Sequence, residues 1–149
     1  MTKRGFRFEF DEPTNWEQSV SGNQFVFRGP RGEELIVSGA LLEGEGTEAQ
    51  LKFAREQLIK NGLDAASKAA SHPDLVTIKN LAKDDQVAGT GLDCWTIASQ
   101  TKPGDVQFLQ AVMSNGWGVL MVTFEAPNDR EAANCFESFL RAVRNAPTN

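Results

Sequence analysis

The sequence predicts an α+β domain in which a mostly antiparallel sheet of about six to seven strands packs between a long helix and a C-terminal helix. Two observations carry this prediction. Stretches typical of strands fill much of the chain, and two separate stretches repeat apolar residues at helical spacing, one before the middle of the chain and one near its end. Short turn motifs join several consecutive strands, so these neighbours should run antiparallel.

The first predicted strand is Phe6–Phe10, where three phenylalanines alternate with Arg7 and Glu9. Since successive side chains of a strand point to opposite faces, the phenylalanines should share one face and the charges the other. The segment Asp11–Asn15 ends this strand. A hairpin is predicted next, made of Gln24–Arg28, the turn Gly29–Gly32 and Glu34–Leu42.

The long helix is predicted to begin at Thr47, because its hydroxyl and the amide of Gln50 have the spacing of a capping box. Asn61–Gly62 predicts the helix end, and Leu63–Ala70 a further short helix. The apolar face is expected to comprise Leu51, Phe53, Ala54 and Leu58. The residues expected to face water are Lys52, Arg55, Glu56 and Lys60.

The second half of the chain predicts four more strands and the closing helix. The strands are Leu75–Leu81, Gly91–Ser99, Val106–Met113 and Val119–Glu125. Val119–Phe124 is apolar at both parities, so this strand should be central, with both faces covered. Asn128 is the predicted cap of the closing helix, and Ala146–Asn149 should fray. The apolar stripe of that helix is Ala132, Cys135, Phe136, Phe139, Leu140 and Val143.

Length and composition predict one domain over residues 1–149, since 149 residues suit a single core. The formal net charge is −5, and no basic cluster extends beyond Lys3–Arg4, which disfavours nucleic acid and anionic membranes as partners. No apolar run reaches the ~18 residues of a membrane span, and the first residues do not have the pattern of a signal peptide. We therefore expect a cytoplasmic protein.

Residues that would support catalysis or metal binding are sparse. His72, the sole histidine, falls in a predicted loop. Cys94 and Cys135 have the pattern of small core residues, without a basic neighbour to lower the pKa of either thiol. The carboxylate pairs Asp84–Asp85 and Glu33–Glu34 are expected to be solvated, because no calcium-loop spacing surrounds them. The sequence predicts no catalytic residue, no cofactor and no metal, so we expect a binding protein and not an enzyme.

Three candidate partner-binding surfaces remain. Two are acidic loops, at Glu43 with Glu45 and at Asp84 with Asp85. The third is a turn in which Trp117 lies between two glycines, where it is either an exposed anchor or packed down as a cap. The predicted partner is another protein. An exposed edge at Phe6–Phe10 would also allow a homodimer through strand pairing.

The whole pattern resembles the PsbP/DcrB-like superfamily, which also contains a Ran-binding nuclear-import factor. The resemblance covers nearly the entire chain and is one of topology and spacing. Its matching features are the corner Pro13–Trp16, the hairpin Phe25–Phe27 and Leu35–Ser38, the long helix from Thr47, the strands Phe108–Val112 and Val119–Phe124, and the helix segment Phe136–Leu140.

The resemblance implies an antiparallel sheet between helices and a binding role without a shared catalytic site. Within the superfamily it points to a bacterial cytoplasmic effector chaperone or adaptor, or an immunity protein, associated with type VI secretion. Two alternatives stay open: a regulator of a Ran-type small GTPase, and a small ligand-binding domain or enzyme that uses the cavity between the sheet and the long helix.

Overall fold

A computed structural model describes residues 2–5, 8–22, 24–41, 48–69, 77–83, 86–87, 89, 91–100, 106–115 and 118–146. These ranges contain ten strands and two helices. In chain order they are β1 Thr2–Gly5, β2 Phe8–Asp11, β3 Glu17–Ser21, β4 Gln24–Arg28, β5 Glu34–Leu41, α1 Glu48–Ala69, β6 Thr77–Lys83, β7 Asp93–Gln100, β8 Val106–Ser114, β9 Gly118–Pro127, α2 Arg130–Ala142 and β10 Arg144–Asn145.

The main sheet has seven strands in the order β3-β4-β5-β9-β8-β7-β6, and all neighbours are antiparallel. A second, three-stranded sheet has the order β1-β2-β10. The predicted α+β class, the antiparallel sheet and its strand number are confirmed. The predicted antiparallel pairing of β8 with β9 is confirmed by their register. At the ends of these strands the amide N–H of Gly118 donates to Asn115 Oδ1 over 2.9 Å.

The central strand of the main sheet is β9, as its apolar pattern predicted. Its even-numbered residues Leu120, Val122, Phe124 and Ala126 are buried in the core that includes α2. On the opposite face Val119 and Met121 pack with Ala54 and Leu58 of α1. One helix therefore covers each face of the sheet, which is what a strand buried on both faces requires.

The first residues of α2 are held by Asp129, one residue after the predicted cap Asn128. Asp129 has extended backbone, and its Oδ1 accepts the N–H of Ala132 over 2.9 Å. Its Oδ2 accepts from Arg31 Nη1 over 2.8 Å, which ties the β4–β5 turn to the helix. The Asn128 prediction is wrong because the neighbouring carboxylate makes both of these bonds.

The described part of the predicted edge strand is not an exposed edge. β2 is the middle strand of the small sheet, where Phe8 and Glu9 pair with both β1 and β10. The homodimer stays a prediction. Glu9, on the charged face of the predicted strand, is buried, and Nε of Arg144 on β10 lies 3.3 Å from its carboxylate. The short strands β1, β3 and β10 were not predicted, since few residues in them show the alternation of a half-buried strand.

Three expectations for the long helix are wrong. α1 runs without a break from Glu48 to Ala69, so Asn61–Gly62 does not end it and no separate short helix follows. Phe53 is 65% exposed instead of buried. Arg55 does not point into water, because its guanidinium lies 4.0 Å from the centre of the Trp95 ring and makes a cation–π contact. The predicted cap Thr47 lies outside the described residues.

We predict that Gly89→Ala destabilises the protein by about 3 kcal/mol or more, because a Cβ there would lie 1.4 Å from the backbone carbonyl oxygen of Val143. Gly22→Ala is the matched control. Gly22 has a φ of +58°, but nothing lies within 4 Å of the position that an added methyl group would take, so the cost should be about 1 kcal/mol of backbone strain. Urea unfolding of both variants checks this, and equal losses would contradict it.

We also predict that Asp129→Ala lowers the urea midpoint more than Asp129→Asn, since asparagine still caps the helix and alanine removes both bonds. The hydrogen bond from Arg31, followed by that from the Ala132 N–H, lowers the pKa of Asp129. The stabilisation is therefore present above the ordinary aspartate pKa and is lost as pH falls through the lowered value. If the difference in urea midpoint between the variants and the parent does not become smaller at acid pH, this assignment is contradicted.

Candidate functional site

All five residues predicted to bind a partner lie outside the described residues. They are Glu43, Glu45, Asp84, Asp85 and Trp117. Their role therefore stays a prediction. The same holds for His72 and for the turn at 101–105.

The described residues form a groove on the sheet face that carries α1. Its volume is about 370 Å³. We call it the α1-face groove and define it by Glu34 and Ile36 of β5, Phe108 and Gln110 of β8, and Thr123 and Glu125 of β9. It coincides with the region between sheet and long helix in which the sequence left a ligand-binding cavity open.

Strand register brings these six residues together in two rows. In one row Glu125 lies opposite Glu34 on one neighbouring strand and opposite Phe108 on the other. In the next row Thr123 lies opposite Ile36 and Gln110. Directly opposed residues of antiparallel strands point to the same face, so the two rows form one continuous floor.

The amide of Gln110 is the most deeply buried polar group of the groove, at 1% exposure. Its Nε2 donates to Thr123 Oγ1 over 3.4 Å, a long bond. Its Oε1 is buried and accepts no hydrogen bond from any described residue. An acceptor left in this state costs about 1–3 kcal/mol, so a donor that reached it would be stabilised.

The two carboxylates of the groove differ in their hydrogen-bond and ion-pair partners. Glu34 is paired with Arg28, whose Nε lies 3.3 Å from its Oε2. The Glu125 carboxylate makes no hydrogen bond or ion pair within the described part of the chain. Burial, and then the negative charge of Glu34, raise the pKa of Glu125. The groove therefore presents acceptor groups that favour a hydrogen-bond donor, and a positively charged one above all.

A second depression, of about 340 Å³, lies between the β2–β3 segment and α2 and includes Trp16, Cys135 and Phe139. Burial is the main cause that raises the pKa of the Cys135 thiol, so the thiol stays protonated and is a poor nucleophile. Cys94 is fully buried, as predicted for a core residue. Asp11, Glu12, Thr14 and Ser138 also line this depression, but no buried polar atom without a hydrogen-bond partner is found there among the described residues.

The expectation that Glu33 and Glu34 are both solvated is wrong. Glu33 is 7% exposed, and its Oε1 accepts the backbone N–H of Arg31 over 2.6 Å. It also fills the space beside Gly29, where a Cβ would lie 2.9 Å from the Glu33 carboxyl. Glu33 thus stabilises the β4–β5 turn, while Glu34 points to the other face and lines the groove.

Sequence reasoning missed Gln110, Thr123 and Glu125 as site residues. Each was placed in a predicted strand, and the parity of Thr123 and Glu125 was the available signal. Two polar residues in succession on one face of a strand that is otherwise apolar on both faces indicate a surface that is not simply core.

No protein-family model and no curated protein matches the sequence. Solved structures do match. A cyanobacterial PsbP (CyanoP) from Synechocystis sp. PCC 6803 has a TM-score of 0.62 and 17% identity over 94% of this chain and 87% of its own. The chain has the PsbP-like fold. The fold implied by the sequence resemblance is thereby confirmed.

Two further structures are similar at comparable identity. LpqN, involved in cell envelope biogenesis of Mycobacterium tuberculosis, has a TM-score of 0.51 and 14% identity over 94% of this chain and 83% of its own. A protein from Bacteroides thetaiotaomicron has a TM-score of 0.53 and 16% identity, covering 97% of this chain but 47% of its own. At these identities the likeness concerns the fold alone.

The described residues contain neither a candidate membrane span nor a candidate metal site. Neither helix combines the length and the apolar character that a bilayer span needs. No group of three or more His, Cys, Asp or Glu side chains is placed to hold a metal ion in this part of the chain.

We predict that Glu125→Gln stabilises the protein at neutral pH, because it removes a carboxylate whose charged form is disfavoured by burial and by Glu34. The raised pKa means that folding takes up a proton between the ordinary glutamate pKa and the raised value. Stability therefore falls as pH rises through this window, and the gain from glutamine should vanish below it.

Urea unfolding at neutral and acid pH measures this difference. Glu56→Gln is the control, since Glu56 is exposed on α1 and the exchange hardly changes helix propensity. A Glu125→Gln variant that is less stable than the parent at neutral pH would show that the carboxylate is not disfavoured in the folded protein.

Proposed function

We propose that this chain is a non-catalytic protein-binding domain that receives a basic segment of a partner protein in the α1-face groove. The observation that supports this most directly concerns the Oε1 of Gln110, beside the opposed carboxylates of Glu34 and Glu125. This atom is buried and accepts no hydrogen bond from the described residues. A site made of acceptors takes a donor, and two carboxylates favour a cationic one.

The net charge of the whole chain also favours a basic partner. Its formal net charge is −5, so a basic partner is attracted over a distance and an acidic one is repelled. Electrostatic attraction of this kind raises the association rate and is weakened by salt. Local and global charge thus favour the same class of partner.

The dimensions of the groove favour side chains over a whole cofactor. Its volume of about 370 Å³ is near the lower end of ligand sites, which span roughly 300–1,000 Å³. Gln24 and Asn61 on its rim are exposed, so the groove opens to the surface. A site of this size and openness suits one or two anchoring side chains, while the surrounding surface supplies the rest of the contact.

We propose a non-catalytic role because the groove supplies hydrogen-bond acceptors, and no hydroxyl among its described residues is hydrogen-bonded to a general base. Glu34 is engaged with Arg28, and Gln110 and Thr123 are bonded to each other. Of the cysteines, Cys94 is buried, and Cys135 lies on the opposite side of the sheet with a raised thiol pKa.

For the biological role we propose a bacterial cytoplasmic effector chaperone or adaptor, or an immunity protein, associated with type VI secretion. The sequence resemblance and the PsbP-like fold support this choice. A regulator of a Ran-type small GTPase is the alternative within protein binding. A small ligand-binding domain or enzyme that uses the cavity between sheet and helix is the alternative outside it. The observation in its favour is the buried Oε1 of Gln110, which accepts no hydrogen bond from the described residues.

We predict that the parent protein, used as bait in lysate of its native cells, retains a stoichiometric partner that Glu125→Lys loses. Glu131→Lys is the matched control, since Glu131 is an exposed glutamate on α2 at the other face of the sheet. Retention by the parent and the control, with loss only in Glu125→Lys, supports the proposal. Equal retention by all three baits places binding elsewhere, and no retained partner with any bait counts against protein binding.

The identity of the retained protein then separates the roles. A secreted effector or toxin supports the chaperone or immunity role, and neutralisation of the toxin by co-expression distinguishes the second from the first. A small GTPase whose nucleotide release the chain alters would replace both with the regulatory alternative.

A further inference from the structure

We infer that the α1-face groove recognises a primary ammonium or guanidinium group carried on an alkyl stem, as in a lysine or arginine side chain. This inference rests on the proposed function, because it takes the cation from a segment of the bound protein. It goes further in naming the chemical group and the atoms that receive it.

The head of the ligand is defined by the carboxylates. Glu34 and Glu125 are directly opposed on adjacent strands, so their Cβ atoms lie roughly 4.5–5.5 Å apart and repel as like charges do in this arrangement. One cation placed between them attracts both. Arg28 already approaches Glu34 from the side, with its own side chain 58% exposed, and leaves Glu125 to the incoming group.

Gln110 is the second and independent feature. It lies in the row next to the carboxylates, and its Oε1 is a buried acceptor without a described partner. An ammonium carries three donors and a guanidinium five, so either can bond a carboxylate and still donate to an amide oxygen. A neutral apolar group would leave this oxygen unsatisfied.

The stem of the ligand is defined by the apolar part of the groove. Ile36, Phe108 and Met121 line it beside the polar groups. Lysine and arginine bury their methylene stems along apolar surface and keep the charged head near polar atoms. A hard divalent cation gains nothing from such walls, and calcium requires roughly six to eight oxygen ligands.

NMR titration of the ¹⁵N-labelled full chain with short capped peptides tests the inference. The peptides are identical except for a central lysine, arginine or norleucine, which is the uncharged counterpart of the lysine stem. We expect the lysine and arginine peptides to shift the backbone amides of Gln110, Thr123 and Glu125, and to bind roughly tenfold more tightly than the norleucine peptide.

Glu125→Gln should weaken the lysine peptide by about the same factor, while Glu131→Gln on the other face should not. Equal binding of the norleucine peptide, shifts confined to other surfaces, or the same shifts with magnesium or calcium chloride would each overturn the inference. Thermal unfolding of every variant confirms that the comparison is made between folded proteins.

A titration with butylammonium separates the sources of the cation. If the free amine binds as tightly as the lysine peptide and the lysate experiment retains no protein, the groove recognises a small amine, and the inference stands while the proposed function fails. If the lysate experiment succeeds but no cation binds the groove, the proposed function stands and the inference fails.

Discussion

The burial of β9 on both faces is the constraint on which the rest of the structure depends. Leu120, Val122 and Phe124 require cover on one face, and Val119 requires it on the other. Phe124 fixes the first of these layers, since its ring is stacked near Trp16 on one side and Phe136 of α2 on the other, with centroids 6.2 and 5.7 Å away. α1 covers Val119, so both helices take their places from this one strand.

The same strand also determines where the groove lies. All residues that β9 turns toward α2 are apolar, whereas those it turns toward α1 change along the strand from Val119 and Met121 to Thr123 and Glu125. α1 packs with the apolar pair, and the polar pair lines the groove beside that contact. On the face of the sheet that carries α1, the packing contact with α1 and the groove therefore lie side by side. The boundary between them is the change from apolar to polar residues along β9.

Local patterns allowed the sequence to predict much of this. The position of β9 followed from its apolar character at both parities, and the turn Asn115–Gly118 sets the β8–β9 register that pairs Gln110 with Thr123. The pairing of Glu34 with Glu125 joins strands far apart in the chain, and no local signal encodes it. The prediction that the long helix ends at Asn61–Gly62 is wrong because a local signal was outweighed by contacts elsewhere in the fold. This pair is a strong local stop signal, but the helical cost of one glycine is only about 1 kcal/mol, which tertiary packing overrides.

The two groups on which the proposed selectivity of the groove depends are also groups that destabilise the folded chain. The charge of Glu125 is disfavoured by burial and by Glu34, and Gln110 Oε1 is buried without a partner among the residues that the structure describes. Leucine in place of Gln110, or glutamine in place of Glu125, would remove this energetic cost. Either exchange would also remove a group that distinguishes a cation from an apolar side chain. A site of this kind would bind its ligand by giving these groups a partner, so the groups must lack one before binding. The expected gain in stability when Glu125 is replaced and the expected loss of cation binding therefore have the same physical cause.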